Sequence, residues 1–508
     1  MQLKKYGRTT IYANYTEQEI LNASEDKQKE IILDIMKSAI HIHNNNKLKT
    51  RYLRDFYEGN QDIYSKVKIT RPEINNKTVE NWAYALTDFK KCWLLGKPIQ
   101  YVQIDDKGEK EVSKLNEFCR FENKSAKDLL LYENILVAGR AYRYVAPDAK
   151  YNEDEAPFEI INVDNDLCEV VYSSQLGHEQ LLSFIETSMM YIDTDNQSKK
   201  KYYKEYTIYL RNKKFVLSGR NGLSFVGEVT PLVINEHYIT EYYLNSGRIS
   251  LIELGKDLFN DINYLESLDK DDMEQFVNAI MVFQNAEVSQ KEIEEIRELG
   301  AVQISSTDGR EAKVYLLEQR LNANTTQTYY SRLLNALHQI LGIPKASDTG
   351  EVSYGDTGQA RLTGQGYTSA GIRADGDEIM FDMCDKNSLK TILKICREKT
   401  KDIKDLKTSQ VEAKFQRNMS DNLLVKTQAL MNLYSAKIPR KFANAIVGLF
   451  NDPNAITVDQ EKIFGPEQDN TNNKDSDTSK DIEQKNNNKV AEQNNVMQNI
   501  NNKAIQNQ

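Results

Sequence analysis

Between Leu251 and Leu341 the chain encodes a helix, a short insert with strand and helix signals of its own, and a second helix. The first helix places Leu251, Leu254, Leu258, Ile262 and Leu265 on one face. The returning helix does the same with Tyr330, Leu333, Leu334, Leu337 and Ile340, and Gly342-Ile343-Pro344 ends it, since proline cannot continue the hydrogen-bond ladder. Within the insert, Ile280–Phe283, Val302–Ser305 and Ala312–Leu317 have strand character and Gln290–Leu299 has helical character. Such a segment is a long stalk with a small α/β knob on its end. One chain cannot bury enough of a stalk to hold it upright, whereas several copies side by side can, so the pattern points to a ring.

Upstream of the stalk, Thr16-Glu17-Gln18-Glu19 is a capping box. A helix is expected from about Ser24, with Ile31, Ile32, Ile35, Met36, Ala39 and Ile42 on one face, broken at Asn44-Asn45-Asn46. A short helix carrying Tyr52, Leu53, Phe56 and Tyr57 then stops at Gly59. Asn75-Asn76 reads as the cap of a helix bearing Val79, Trp82, Ala83, Leu86, Phe89 and Trp93, and Asp128–Ala138 as a further helix closed by Gly139. From Ala141 to Ile234 the period changes to two. It predicts strands at Tyr142–Val145, Phe158–Val163, Glu169–Tyr172, Leu181–Glu186, Tyr202–Leu210 and Phe215–Ser218. The body is therefore α+β, with a largely antiparallel sheet.

Beyond the stalk, Gly358–Arg397 is largely helical but carries Gly364, Gly366, Gly371 and Gly376, so a kink or break is expected. Val411–Gln416 reads as a strand, and Leu423–Ala436 and Arg440–Phe450 as helices. Gln468–Gln508 is dominated by Asn, Gln, Asp and Lys and lacks aromatics; disorder is expected there, because it cannot repay its ordering entropy.

Composition narrows the chemistry. The 508 residues are 40% hydrophobic and 28% charged, enough for real cores in more than one module. No apolar run reaches the roughly 18–20 residues of a bilayer span, and no apolar stretch of a secretory leader follows Met1. The five cysteines (Cys92, Cys119, Cys168, Cys384, Cys396) are scattered with no CxxC pair, which predicts reduced thiols and no zinc ribbon. His41 and His43 fall on different faces of a helix, so no metal site is read there. The net charge of -9 argues against a simple electrostatic binder of nucleic acid. An acidic protein that meets DNA has to guide it without gripping it.

Catalytic signatures are missing from the sequence. Gly366-Tyr367-Thr368-Ser369-Ala370-Gly371 has the spacing of a phosphate-binding loop, but Ile372-Arg373 follows where Lys-Ser/Thr is required. Gly364-Gln365-Gly366 lacks the third glycine of a dinucleotide fingerprint. No G-x-S-x-G, HExxH or EF-hand loop is present, and neither catalysis nor a cofactor is expected.

Several stretches, in order along the chain, resemble the portal proteins of long-tailed bacteriophages of Gram-positive bacteria. They are Tyr52-Leu53 to Phe56-Tyr57-Glu58-Gly59, then Asn76-Lys77-Thr78-Val79 through Leu94-Leu95-Gly96-Lys97-Pro98-Ile99-Gln100-Tyr101, the most specific run. Gly139-Arg140-Ala141-Tyr142 follows, then Leu258 to Val282 with Asn263, Ser267, Asp272-Met273-Glu274, Phe276-Val277 and Ala279. Arg332-Leu333 to Gly342-Ile343-Pro344, Thr357-Gly358-Gln359-Ala360-Arg361, Phe415 with Arg417-Asn418, and Phe450-Asn451-Asp452-Pro453 complete the set. The sequence departs from the family at Thr357, at Gly364, Gly366 and Gly371, and over Glu236–Arg248.

The resemblance implies a portal fold assembled as a ring, typically of twelve subunits, at one capsid vertex of the virion after assembly in the host cytoplasm. The layout it implies is an N-terminal arm (1–27), a wing (28–248), stem helices (249–279 and 323–341) around a small α/β clip (280–322), and a tunnel loop (342–357). A long kinked wing helix (358–397), a helical crown (398–465) and a disordered polar tail (466–508) follow. Double-stranded DNA would pass through the channel during packaging and ejection. The implied partners are the terminase large subunit, head-completion or adaptor protein, scaffold and major capsid protein, with no membrane. Within that frame the acidic stripe Glu253, Asp257 and Asp261, whose phase Asp271 and Asp272 continue, is a candidate channel wall that repels phosphates evenly. Lys345, Asp348, Glu351 and Asp356 are candidate DNA-facing residues of the tunnel loop, and Gly342, Gly358, Gly364 and Gly366 candidate hinges. The alternatives are a head–tail connector without a DNA-translocating channel, a monomeric nucleic-acid-binding module, or a nucleic-acid-processing enzyme.

Overall fold

A computed structural model of the chain describes residues 6–104, 109–152, 155–192, 200–220, 222–277, 280–284, 313–317, 323–344, 367–416 and 423–447, with 449, 456–457, 460 and 463. The chain divides into two compact units, Met1–Ser420 and Asp421–Gln508.

In the first unit, the larger sheet has seven strands ordered Ile11–Ala13, Cys168–Ser173, Gln180–Ile192, Lys200–Tyr209, Lys213–Ser218 and Thr230–Pro231, with Ser224–Phe225 beside Lys213–Ser218. Only Ile11–Ala13 runs parallel to its neighbour. The helix Glu25–Tyr57 covers this sheet, burying Ile31, Ile32, Ile35, Met36 and Ala39 against Val171, Leu182, Phe184, Ile208 and Phe215. This one helix replaces the two expected from sequence. Asn44-Asn45-Asn46 does not break it, because tertiary partners take up the polar groups that would otherwise compete with the backbone. Asn46 Oδ1 accepts the Thr9 N–H at 2.9 Å while its Nδ2 donates to Thr9 O and to Glu169. Asn44 Oδ1 accepts from Lys204 at 2.9 Å. The helix ends where expected, with Gly59 at φ 101 just beyond it.

A second sheet, ordered Ile239–Tyr242, Ala141–Pro147, Phe158–Val163, is antiparallel throughout. Val411–Lys414 pairs antiparallel with Gln100–Gln103, so the expected strand after residue 410 belongs to the body. Tyr367–Lys399 is one uninterrupted helix that runs through Gly371 and Gly376, contrary to the expected break at those positions; Gly364 and Gly366 lie outside the described residues. Burial outweighs the roughly 1 kcal/mol propensity cost of each glycine. Ala374, Phe381 and Cys384 enter one core with Leu131, Tyr132, Tyr242 and Phe259, and Leu389, Ile392, Leu393 and Cys396 enter another with Leu115, Phe118, Val145 and Phe158.

The stalk is present as helices Leu251–Val277 and Ala323–Leu341, and Ile280–Gln284 pairs antiparallel with Lys313–Leu317 above them. The expected insert elements Gln290–Leu299 and Val302–Ser305 lie outside the described residues. In the second unit, helices Leu423–Ser435 and Arg440–Val447 flank a turn with Lys437 at φ 58. Tyr434 donates to Asn444 Oδ1 at 2.6 Å, and buried Asn444 donates to Thr457 Oγ1 at 3.1 Å.

Candidate functional site

The two stalk helices pack through Ile252, Phe259, Ile262, Leu333, Leu337 and Leu341, all buried. Gly255 permits the approach: a Cβ there would stand 2.9 Å from Leu337 Cδ1 and 2.8 Å from the Phe259 ring. That contact also sets the level of one helix against the other, position 255 opposite position 337.

A ladder of polar groups fastens the ascending helix to the segment before helix Trp82–Leu95. Asn263 Oδ1 accepts the Glu80 N–H at 2.8 Å, Ser267 Oγ the Thr78 N–H at 2.9 Å, and Asp271 Oδ1 the Asn76 N–H at 2.6 Å. Four residues of helix rise about 6 Å and two residues of extended chain about 6.6 Å, so every fourth helical side chain meets every second main-chain N–H. Lys66 at 2.9 Å and Lys68 at 3.3 Å converge on the same Asp271. Burial would raise the Asp271 carboxyl, but the Asn76 N–H and both lysines outweigh it and hold it below the usual range. Asn75-Asn76 is therefore not the cap expected from sequence. Asn81 caps the helix that starts at Trp82, accepting the Tyr84 N–H at 3.2 Å.

At the base of the ascending helix, Ser250 and Glu253 form a capping box. Glu253 N donates to Ser250 Oγ at 3.0 Å and Ser250 N to Glu253 Oε2 at 2.9 Å. The other oxygen of Glu253 accepts the Gly7 N–H at 3.0 Å and lies 2.6 Å from the fully buried Arg8 guanidinium. Gly139 sits against the same junction at φ 82, where a Cβ would come within 2.0 Å of Arg248 O.

These contacts redraw the acidic stripe. Glu253 is only 8% exposed and Asp271 1%, both turned into the fold against cations, so neither belongs to an exposed wall. Asp257 and Asp261 are exposed. Gly342 closes the returning helix at φ 67, with Ile343 N donating to His338 O at 3.0 Å in a Schellman pattern. Arg373 lies over it and donates to Ile340 O at 2.7 Å and Gln339 O at 3.1 Å. Lys345, Asp348, Glu351, Asp356, Gly358, Gly364 and Gly366 lie outside the described residues.

Two buried ion networks were not read from sequence. In one, Arg140 grips Glu169, and His43 stands 3.5 Å from Glu169 and 3.5 Å from Glu186, which Lys47 holds at 2.7 Å. Burial opposes the charge on Glu169, yet Arg140 and His43 outweigh it and hold its carboxyl at about 2. Burial likewise opposes protonation of His43, and the two carboxylates prevail and raise its pKa above 6.5. In the other, Lys124 and Arg143 face Asp128 and Asp385, with Tyr101 and Tyr242 donating to Asp385. Each charge has a countercharge, and the networks join elements distant in sequence.

Among the described residues, no group of three or more His, Cys, Asp or Glu is arranged to hold a metal ion, and no helix is long and apolar enough to cross a membrane. What the geometry builds is a strut, pinned at its base and laced along one side. The family model described as "Phage portal protein, SPP1 Gp6-like" matches residues 36–473. A comparison with curated proteins found no match.

Proposed function

The chain belongs to the phage portal protein family, and from that premise we propose that it forms the ring-shaped channel through which double-stranded DNA enters and leaves the capsid. The family is structural and implies an oligomeric ring in the phage head. The observation that carries the reading is the braced helical hairpin Leu251–Leu341 with its two-stranded tip, inside the matched span.

In this reading the body up to residue 248 is the wing and residues 249–279 and 323–341 are the stem. Residues 280–322 are the clip, which docks the terminase large subunit and later the head-completion protein, while scaffold and major capsid protein meet the outer faces. Residues 342–357 are the tunnel loop. There Lys345 makes intermittent contact with phosphates while Asp348, Glu351 and Asp356 keep the duplex from sticking. Residues 398–465 form the crown.

Negative-stain imaging of the purified full chain tests the reading, with a ring around a central hole as the expected result. A ring that supports DNA packaging identifies the channel. A ring through which no DNA passes favours the connector alternative, and a protein that stays monomeric at assembly concentrations overturns both.

A further inference from the structure

We propose that Arg332 of one subunit pairs with Asp257 and Asp261 of the next, so that the ascending and returning stalk helices of adjacent copies form a continuous charged seam around the ring. The inference rests on the ring reading above and names the surfaces that close it.

Arg332 is the only Lys, Arg, Asp or Glu in helix Ala323–Leu341, and it is exposed. Among the described residues no partner is found for Arg332, Asp257 or Asp261, whereas the neighbouring Glu253 and Asp271 are ion-paired within the chain. The level of these groups is fixed by the packing. With position 255 opposite 337, antiparallel helices at 1.5 Å per residue put Arg332 level with position 260, about 1.5 Å from the level of Asp261 and about 4.5 Å from that of Asp257. The bond from Tyr330 to Glu80, whose N–H is bound by Asn263, places the returning helix beside the same stretch of the ascending one.

The flanking residues match as well. Leu254, Asp257, Asp261 and Tyr264 follow a three-four spacing along the ascending helix, with Leu254 54% and Tyr264 50% exposed. Tyr329, Arg332 and Ile340 share a stripe on the returning helix, with Tyr329 46% and Ile340 47% exposed. On the same count Tyr329 is level with position 263, about 1.5 Å from the level of Tyr264, and Ile340 with position 252, about 3 Å from that of Leu254. Each helix therefore shows an apolar residue, a charged centre and another apolar residue in register, with opposite charge at the centre.

A closed ring joins two different surfaces of the same chain by rotation alone. For hairpins standing parallel to the axis, equal levels meet and helices approach to about 8–10 Å, within reach of an arginine. The complementary seam is what such a ring needs. It also assigns Asp257 and Asp261 to the subunit boundary in place of the channel wall.

The test uses two full-length variants, Arg332→Glu and the double variant Asp257→Lys with Asp261→Lys, with mass measured in solution. Each alone juxtaposes like charges at every boundary, and the ring fraction is expected to fall about tenfold or more. Mixed in equal amounts they place opposite charges at every boundary of an alternating ring, and assembly is expected to recover. Exposed positions leave folding intact, checked by unchanged thermal unfolding. Rings from each variant alone, with DNA passage altered instead, would overturn the seam and leave the ring reading standing. Loss of rings without recovery on mixing would overturn it too, and a wild-type protein that forms no ring defeats the ring reading itself.

Discussion

Ser267 Oγ accepts the main-chain N–H of Thr78 at 2.9 Å across 189 positions of sequence, and it is the middle rung of a ladder with Asn263–Glu80 and Asp271–Asn76. The ladder turns one side of a helix into a template for an extended segment. It also carries Lys66 and Lys68 inward and leaves Val67 and Ile69 facing out, at 84% and 95% exposure.

Removing a rung strands a main-chain donor. Asn263→Ala is expected to cost about 1–3 kcal/mol, since it frees the Glu80 N–H and the side chain of Gln61 in a buried setting. Ser267→Ala leaves the Thr78 N–H without its acceptor and should cost toward the lower end of that range. Denaturant unfolding gives the energies. Hydrogen exchange at Thr78 and Glu80 should accelerate, and unchanged exchange at both amides would refute the ladder as their main protection.

The junction below the ladder depends on close backbone approach. Gly139→Ala forces a Cβ to within 2.0 Å of Arg248 O at a positive φ of 82, and relief requires moving the start of the ascending helix. The expected outcome is a loss of about 2–4 kcal/mol or failure to fold. Gly177→Ala makes a control for backbone strain alone, because that glycine is at φ 102 with nothing within 4 Å. Similar losses at both positions would refute the role of crowding.

Glu253 and Arg8 should behave as a unit. Glu253→Ala leaves the fully buried guanidinium uncompensated and removes the acceptor of Gly7 and Ser250, for an expected cost of about 3–5 kcal/mol. Arg8→Met added to Glu253→Ala should recover part of that loss, because it removes the stranded charge. A double-mutant cycle by equilibrium unfolding checks this, and strictly additive costs would show that the pair is not coupled.

The sequence carried the local parts of this picture well. The stalk helices, the strand pair at Ile280 and Lys313, the closure at Gly139 and most strands of the body follow from periodicity and turn residues. The errors lie where a distant partner overrides a local signal. Asn44-Asn45-Asn46 reads as a break until Thr9, Glu169 and Lys204 occupy it, and Asn75-Asn76 as a cap until Asp271 takes Asn76. Glu253 reads as one step of an acidic stripe, although Ser250-Leu251-Ile252-Glu253 is itself a capping-box signature that marks it as a helix start. The ladder was partly legible: small or polar Asn263, Ser267 and Asp271 at intervals of four describe a helix face built to bind something, but nothing local says that it binds residues 76–80.

Glu378 gives a pH dependence of one sign. Burial, then the charge of Asp377, lifts its carboxyl from 4.5 to about 7, so ionising it in the folded state opposes folding as pH rises from 4.5 to 7. Glu378→Gln is therefore expected to leave stability nearly unchanged at pH 4 and to raise it by about 1 kcal/mol at pH 8, a figure discounted for its partial exposure. Equal effects of the substitution at both pH values in thermal unfolding would refute the shift.

His43 gives the opposite limb of its own network. Its pKa is raised above 6.5 because Glu169 and Glu186 outweigh burial, so the stabilisation it adds is fully present below 6.5 and is lost as pH rises through the raised value. Glu169, held at about 2, contributes above 4.5 and loses that contribution as pH falls toward 2. Lys47 and Lys204 pair with Glu186 and Arg140 with Glu169, and His43 is the group of this network whose raised pKa governs the upper edge. Stability measured against pH should then decline above 6.5 with a slope approaching about 1.4 kcal/mol per pH unit for one proton. His43→Gln should flatten that decline and leave the acid limb in place, because the carboxylates keep their arginine and lysines. A variant whose alkaline slope matches the wild type would show that His43 is not the titrating group.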